Sequence, residues 1–320
     1  MIIYAEKSLE SNLQAKKILE KHSNSDIIWI DNHKNIFDKN IALTREKSII
    51  LAKGKNFIQN APDGYGFAGT NAFFLKNSIN CVFDCDYCYL KGAFKNYDLL
   101  FFLDYETMKN EVIETIKKED NGQVNRFYSS DYSDNLATDN LTDFTSEFIP
   151  FFETLENTKL EIRTKSNNIG NLLKITAPKN TEIAFSLNPS EVVEAYEHKT
   201  TSLDERIKSI NTLLDAGWNV GIRFLPLVEI ENYKEIYDNF LNYLKGKIDF
   251  SRISSVFIGG LLYTNDDYNN ILKAKPLLDL LYKLHKDGDF YRENRGVRDR
   301  FYTKFGEFIK EKKCNICLDN

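Results

Sequence analysis

Three cysteines, Cys81, Cys85 and Cys88, fall within eight residues in the run Asn80-Cys81-Val82-Phe83-Asp84-Cys85-Asp86-Tyr87-Cys88-Tyr89-Leu90. Two more, Cys314 and Cys317, close the chain, and the 225 residues between the two groups hold none. Scattered buried thiols do not segregate in this way, and clustered cysteines read first as metal ligands. The C-x3-C-x2-C spacing lets one loop wrap three corners of an iron–sulfur cluster. Four thiolates saturate a [4Fe–4S] cluster, whereas three leave one iron open to an outside ligand. Structural zinc is the competing reading, but it normally takes four closed ligands. A histidine to complete such a set is missing between His33 and His198. The aromatic neighbours of the thiols suit a dry site.

A loop of this kind needs a frame. The chain has 320 residues, of which 42% are hydrophobic and 28% charged, as in an ordinary globular protein. No stretch approaches the ~18 consecutive apolar residues of a membrane span; the greasiest window is Leu99–Leu103. The N-terminus lacks a basic leader region, so the expectation is a cytoplasmic protein without a membrane partner. Strand, helix and strand are predicted at Ile2–Ala5, Glu10–His22 and Ile27–Ile30, a small α/β unit. Residues 52–70 hold four of the fifteen glycines and read as a loop, the best candidate boundary. From residue 71 the pattern alternates regularly. Apolar runs at Ala72–Leu75, Val124–Tyr128, Leu160–Thr164, Ile183–Leu187, Val220–Leu225 and Val256–Ile258 suit buried parallel strands. Between them, helical spacing marks 105–117, 140–155, 168–174, 203–215, 233–245 and 270–286, with Asp104 and Ser202 as N-caps and Ala216-Gly217 as a stop. Six strand–helix repeats imply a parallel sheet, doubly wound or curled toward a barrel. No Gly-x-Gly-x-x-Gly follows the first strand and no Walker lysine loop occurs, so dinucleotide and P-loop readings lack support.

The cysteine motif after the first strand of a six-fold β/α series resembles the radical S-adenosylmethionine (SAM) superfamily. Tyr87-Cys88-Tyr89-Leu90 narrows the likeness to the spore photoproduct lyase branch. Arg126-Phe127, Ser133-Asp134, Asp139 with Leu141-Thr142, Arg163-Thr164-Lys165, Phe185-Ser186-Leu187-Asn188, Thr200-x-Ser202, Ala216-Gly217 and Leu225-Pro226 extend it without gaps, over about 145 residues. The resemblance implies a partial (β/α)6 TIM-type barrel over 71–260, a small α/β unit over 1–70 and a C-terminal helical extension over 261–320. It implies that Cys81, Cys85 and Cys88 hold a [4Fe–4S] cluster whose open iron binds SAM, and that an electron cleaves SAM to a 5′-deoxyadenosyl radical. Backbone groups of Tyr128, Ser129 and Ser130 would meet the SAM amino group, and Ser133, Lys165 and Ser186 would contact SAM. Lys165, at the C-terminal end of a barrel strand, is well placed to pair with a carboxylate. Arg223, a charge within a strand, is expected to point inward toward SAM or substrate, because a buried arginine needs a partner. A reductant such as flavodoxin or ferredoxin would supply the electron.

One position departs from the family. Its members carry a cysteine on the second-strand loop that returns a hydrogen atom to the product radical, and Asp131 stands there. A thiol S–H is weak enough to give hydrogen to a carbon radical; a carboxylic O–H is not. Asp131 is therefore expected to bind substrate or move a proton, while Tyr87 and Tyr89 match the family's hydrogen-relay tyrosines. The leading expectation is a radical SAM enzyme that abstracts hydrogen from a nucleic-acid base or thymine-derived substrate. Two others stand beside it: a rearrangement enzyme acting on an amine-bearing modified base, small metabolite or peptide, and a non-catalytic, metal-bearing nucleic-acid-binding protein.

Charge adds little. The net charge is −5, yet residues 283–313 carry ten Lys/Arg against six Asp/Glu, densest at Arg292, Arg295, Arg298 and Arg300. That stretch reads as a solvated helix face or as phosphate contacts. His198 is placed near the site mouth. Cys314 and Cys317 read as an adventitious pair, half of an intermolecular zinc clasp, a thiol source folded back into the site, or ligands of a second metal.

Overall fold

A computed structural model describes residues 1–38, 47–119, 121–309 and the backbone of 314–316. The chain begins with β1 (Ile2–Glu6), a helix at Leu13–Lys21 capped by the Asn12 side chain, β2 (Asp26–Ile30) and β3 (Ile49–Ala52). β1 lies between β2 and β3, all parallel. β4 (Ile58–Asn60) then pairs antiparallel with β5 (Thr70–Leu75), so the glycine-rich stretch contains a strand as well as a loop. After β6 (Ser78–Ile79) and β7 (Asp84–Cys85), the greasiest window forms β8 (Leu99–Phe102), buried along its whole length. β8 joins β3 in parallel and β6 antiparallel, completing a five-stranded sheet in the order β2-β1-β3-β8-β6.

The second half alternates as the apolar runs require. β9 (Val124–Tyr128), β10 (Thr158–Thr164) and β11 (Thr181–Ser186) are followed by a short β12 (Glu197–His198), then β13 (Asn219–Leu227) and β14 (Ser255–Gly260). β5, β9, β10, β11, β13 and β14 are neighbours in that order and all parallel, with each connection crossing through helical structure. The C-terminal region is less helical than its sequence suggests. β15 (Leu262–Thr264), β16 (Leu284–Asp287) and β17 (Phe290–Glu293) form an antiparallel sheet, and the helix Arg295–Phe308 follows. β18 (Cys314–Ile316) returns to pair in parallel with β14. Cys317 lies outside the described residues. The result is a mixed, partly curled sheet, a half-barrel whose edge strands β4 and β18 do not meet among the described residues.

Period-2 alternation divides each barrel strand between two environments. On the outer side, Phe73 stacks on Phe127 at 5.1 Å, and Phe127 meets Phe152 of the helix Phe144–Glu153 at 5.5 Å. On the inner side, Glu161, Glu182 and Arg223 are buried together. Burial would raise Glu161, but Arg223, Arg163 and Arg126 pull its carboxyl down to about 2.

Helix expectations needed three corrections. Residues 140–155 make two helices, Asp139–Thr142 and Phe144–Glu153, broken at Asp143, whose φ is 51°. The 168–174 segment keeps only a 3-10 turn, Leu172–Lys174. The expected helix at 270–286 is instead Asn265–Ala274, because Pro276 removes a donor and blocks the next turn; the chain then enters the β16–β17 hairpin, turning at Gly288 with φ 62°. Ser202 accepts from the Glu205 amide as an N-cap should, whereas Asp104 occupies its cap position without a side-chain bond.

Candidate active site

The cysteine loop is held by protein contacts at every few residues. Asn80 adopts φ 67°, a region asparagine tolerates, and its amide donates to the carbonyls of Asn96 at 2.7 Å and Asp98 at 2.8 Å. Lys47 Nζ donates to the Cys81 carbonyl at 2.6 Å. β7 pairs with β12, matching Cys85 to Glu197 and Asp84 to His198. Asp86 meets His198 Nε2 at 2.9 Å and also accepts from Lys275, so His198 braces the loop from an exposed position. Tyr263 donates its hydroxyl to the Tyr87 carbonyl at 2.6 Å.

Cys81, Cys85 and Cys88 are free thiols that line one cavity of about 300 Å³. Burial pushes the Cys81 thiol up, and Cys85 up to about 12. Among the described residues no three His, Cys, Asp or Glu side chains converge as a single metal ion requires.

The rest of the lining comes from the C-terminal ends of the barrel strands. Ser130, Asp131, Ser133 and Asp134 follow β9; Arg163, Thr164 and Lys165 end β10; Ser186 ends β11; Leu225 and Pro226 come from β13, and Gly260 to Leu262 from the β14 end. The Ser130 and Ser133 hydroxyls are buried with no hydrogen-bond partner. Asp134 shapes the turn, accepting from the Lys165 amide and the Thr164 hydroxyl, each at 2.8 Å. Lys165 Nζ lies 5.7 Å from the centre of the Tyr87 ring.

Three of the expected residues, Tyr128, Ser129 and Arg223, are not among those that line the cavity. Tyr128 and Ser129 are buried behind the wall and do not line the cavity; the Ser129 carbonyl already accepts from Asn135 at 2.6 Å. Arg223 does point into the half-barrel, but below the cavity. Its guanidinium bonds Glu161 at 2.6 and 3.0 Å, Glu182, and the Ser255 hydroxyl at 2.9 Å. The buried arginine found its partners on neighbouring strands instead of in a ligand. In the basic stretch, Arg292 and Arg298 pair with Asp287, and Arg298 also donates to the Glu293 carbonyl, while Arg295 and Arg300 are exposed.

The tyrosines occupy distinct networks. Tyr87 donates to Glu197, which also receives Arg206 at 2.6 Å and Asn188 at 3.0 Å. Burial alone would raise Glu197, yet Arg206 and then Lys165 hold it below its ordinary value. Tyr89 donates to the Asp131 main-chain carbonyl at 2.8 Å. The Asp131 carboxylate itself accepts from Tyr65 at 2.6 Å. Burial pushes Asp131 up to about 6, against the opposing pull of Arg163 and the Tyr65 hydrogen bond. Tyr65, in the glycine-rich loop, and Arg163, at the end of β10, carry no sequence signal for a place in this site.

The family model described as Spore photoproduct lyase matches residues 70–262, from the first residue of β5 to the first of β15. The spore photoproduct lyase of Clostridium acetobutylicum is 28% identical over 198 residues, 61% of this chain and 58% of that protein. The chain thus spans little more than half the length of this curated relative. A solved spore photoproduct lyase complexed with dinucleoside spore photoproduct superposes with a TM-score of 0.83 at 18% identity, over 98% of this chain and 97% of that one. A mutant of spore photoproduct lyase with bound AdoMet and dinucleoside spore photoproduct gives 0.81 at 17% identity with the same coverage. At such identities the likeness is one of fold, and it takes in the N-terminal sheet and the C-terminal region as well as the barrel.

Proposed function

The chain belongs to the spore photoproduct lyase family, and from that premise we propose that it is a radical SAM enzyme acting on a nucleic-acid base or a thymine-derived lesion. The observation that carries the reading is one cavity lined both by three thiols and by serine hydroxyls that have no hydrogen-bond partner. Three thiolates suit a [4Fe–4S] cluster with one open iron, whereas structural zinc normally takes four closed ligands. Cys81, Cys85 and Cys88 would hold the [4Fe–4S] cluster, and Ser130, Ser133, Lys165 and Ser186 are suited to the amino and carboxylate groups of SAM. Bound together, the two groups supply a 5′-deoxyadenosyl radical that takes hydrogen from substrate.

The chain's own residues bind, orient and shield. Lys165 brings a cation to an anionic ligand group, and Asp134 fixes the backbone that presents it. Tyr87, Phe83 and Leu225 exclude water. Asp131 faces the cavity as a substrate-binding or proton-transferring carboxyl. Its presence also favours a second reading, rearrangement of an amine-bearing base or metabolite, since a carboxylate can pair with an ammonium. A one-electron carrier of the flavodoxin or ferredoxin class would be the reductant. In this scheme the barrel of 71–260 carries the chemistry, with the 1–70 unit and the 261–320 extension as its flanks.

Anaerobic reconstitution with iron and sulfide, then SAM and dithionite, tests the reading. It requires 5′-deoxyadenosine; a fully loaded protein that produces none would refute it. Repeating the assay with dinucleoside spore photoproduct, DNA and amine-bearing nucleosides separates the substrate classes.

A further inference from the structure

Tyr65 reaches the cavity by a path only glycine permits. Gly64 and Gly66 take φ of 80° and 85°, and a Cβ on Gly66 would come within 2.4 Å of the Tyr128 hydroxyl. The Tyr65 ring is then fixed edge-on to Phe74 and to Tyr128, each at 4.9 Å, with the Arg163 guanidinium 5.9 Å from its centre. So held, its hydroxyl donates to Asp131 Oδ1 at 2.6 Å, and both residues line the cavity that the thiols also line. Tyr89 and Tyr87 do not share this arrangement: one donates to a main-chain carbonyl, the other to Glu197.

We propose that Tyr65 is the hydrogen-atom donor in this cavity, with the Asp131 carboxyl passing the proton. The inference rests on the reading above, that a carbon radical forms here. A phenolic O–H, like a thiol S–H and unlike a carboxylic O–H, is weak enough to reduce a carbon radical. In the step, the carbon radical receives an electron from Tyr65 and a proton from Asp131 Oδ2, while the phenolic proton of Tyr65 crosses to Oδ1. One C–H bond forms, the Tyr65 O–H bond breaks, and the carboxyl is left as it began. The neutral tyrosyl radical returns to phenol with one electron from the low-potential one-electron reductant and one proton from solvent. Burial supports the relay: a carboxyl pushed up to about 6 still carries a proton part of the time near neutral pH.

Two measurements test it. In the metal-free protein, the Asp131 carboxyl is titrated by difference infrared spectroscopy against Asp131→Asn. Tyr65→Phe should shift its midpoint upward from about 6, since the hydrogen bond that lowers it is gone; an unmoved midpoint would overturn the pairing. In the reconstituted protein, SAM is cleaved by dithionite in D2O without substrate, so that the 5′-deoxyadenosyl radical is itself the carbon radical. The wild-type protein and Tyr89→Phe should yield 5′-deoxyadenosine carrying solvent deuterium, and Tyr65→Phe should lose it while still cleaving SAM. Equal deuterium in Tyr65→Phe overturns the donor role alone. Absence of 5′-deoxyadenosine from the wild-type protein overturns the family-level reading beneath it.

Discussion

Lys165, Ser130 and Ser133 bring a cation and two unsatisfied hydroxyls to the cavity that the thiols line, and buried polar groups left without partners are costly. A ligand with a carboxylate and an amine would relieve that cost. Lys165→Met should therefore weaken SAM binding about 10- to 100-fold, the equivalent of the ~1.5–3 kcal/mol of a charged hydrogen bond, by equilibrium dialysis of the reconstituted protein. Unchanged affinity would remove Lys165 from the SAM site. Asp131→Ala should leave substrate-free SAM cleavage intact yet abolish conversion of the true substrate, read as 5′-deoxyadenosine against product in one assay. Replacing Cys81, Cys85 or Cys88 by alanine should abolish both activities together with the cluster's visible absorbance. At this scale the thiols were legible because their spacing along the chain is itself the signal. Tyr65 was not, because its bond to Asp131 joins residues 66 apart and depends on two left-handed glycines that no periodicity encodes. Arg223 follows the general rule that a buried arginine needs a partner, and two neighbouring strands supply a carboxylate each.

Elements converge on the cavity through two buried ionisable groups that hold one segment to another. Glu293 of β17 accepts from the Leu261 amide at 3.0 Å, just where β14 gives way to β15, and Gly260 leaves the space its carboxylate fills. Burial pushes Glu293 up to about 8. A raised carboxyl stabilises the fold while protonated, so its contribution is full below the ordinary glutamate range and is lost as pH climbs through about 8. Glu293→Gln should flatten the fall in urea stability between pH 5 and 8 by an amount of the order of a few kcal/mol; a slope unchanged from wild type would contradict it. The second group, Arg206, bonds Glu197 of β12 and the Ser186 carbonyl that ends β11. Arg206→Met leaves a buried carboxylate without its cation and should cost about 3–5 kcal/mol in urea denaturation. The six barrel strands could be predicted because both faces of a parallel strand are covered and the apolar runs stand out. The β16–β17 hairpin could not, since its residues are mostly polar and the helical spacing before Pro276 hid the break.

The described residues build two large sheets, of five and eight strands, with a two-stranded and a three-stranded sheet beside them. The chain leaves the half-barrel after β5, lays β6 and β8 into the N-terminal sheet, and only then returns to β9, so the cysteine loop is carried on the excursion. Deleting residues 1–70 would strip β3 from β8 and expose its four apolar side chains. The truncated chain should aggregate or lose cooperative unfolding, whereas a freely soluble 71–320 fragment with normal SAM cleavage would show that the first sheet is dispensable. The excursion was invisible in sequence, because β8 reads as one more apolar run and nothing local says which sheet it joins. Its position bears on the order of assembly. The loop is gripped by Lys47, β12, Tyr263 and Lys275, none of which contributes a thiol. Small zinc domains, by contrast, owe their folded state to the metal. On the proposed reading, the polypeptide would hold the loop by its own contacts and take up iron and sulfide afterwards. A protein built that way should survive oxidative loss of its inorganic core as an intact vessel and be refilled without refolding.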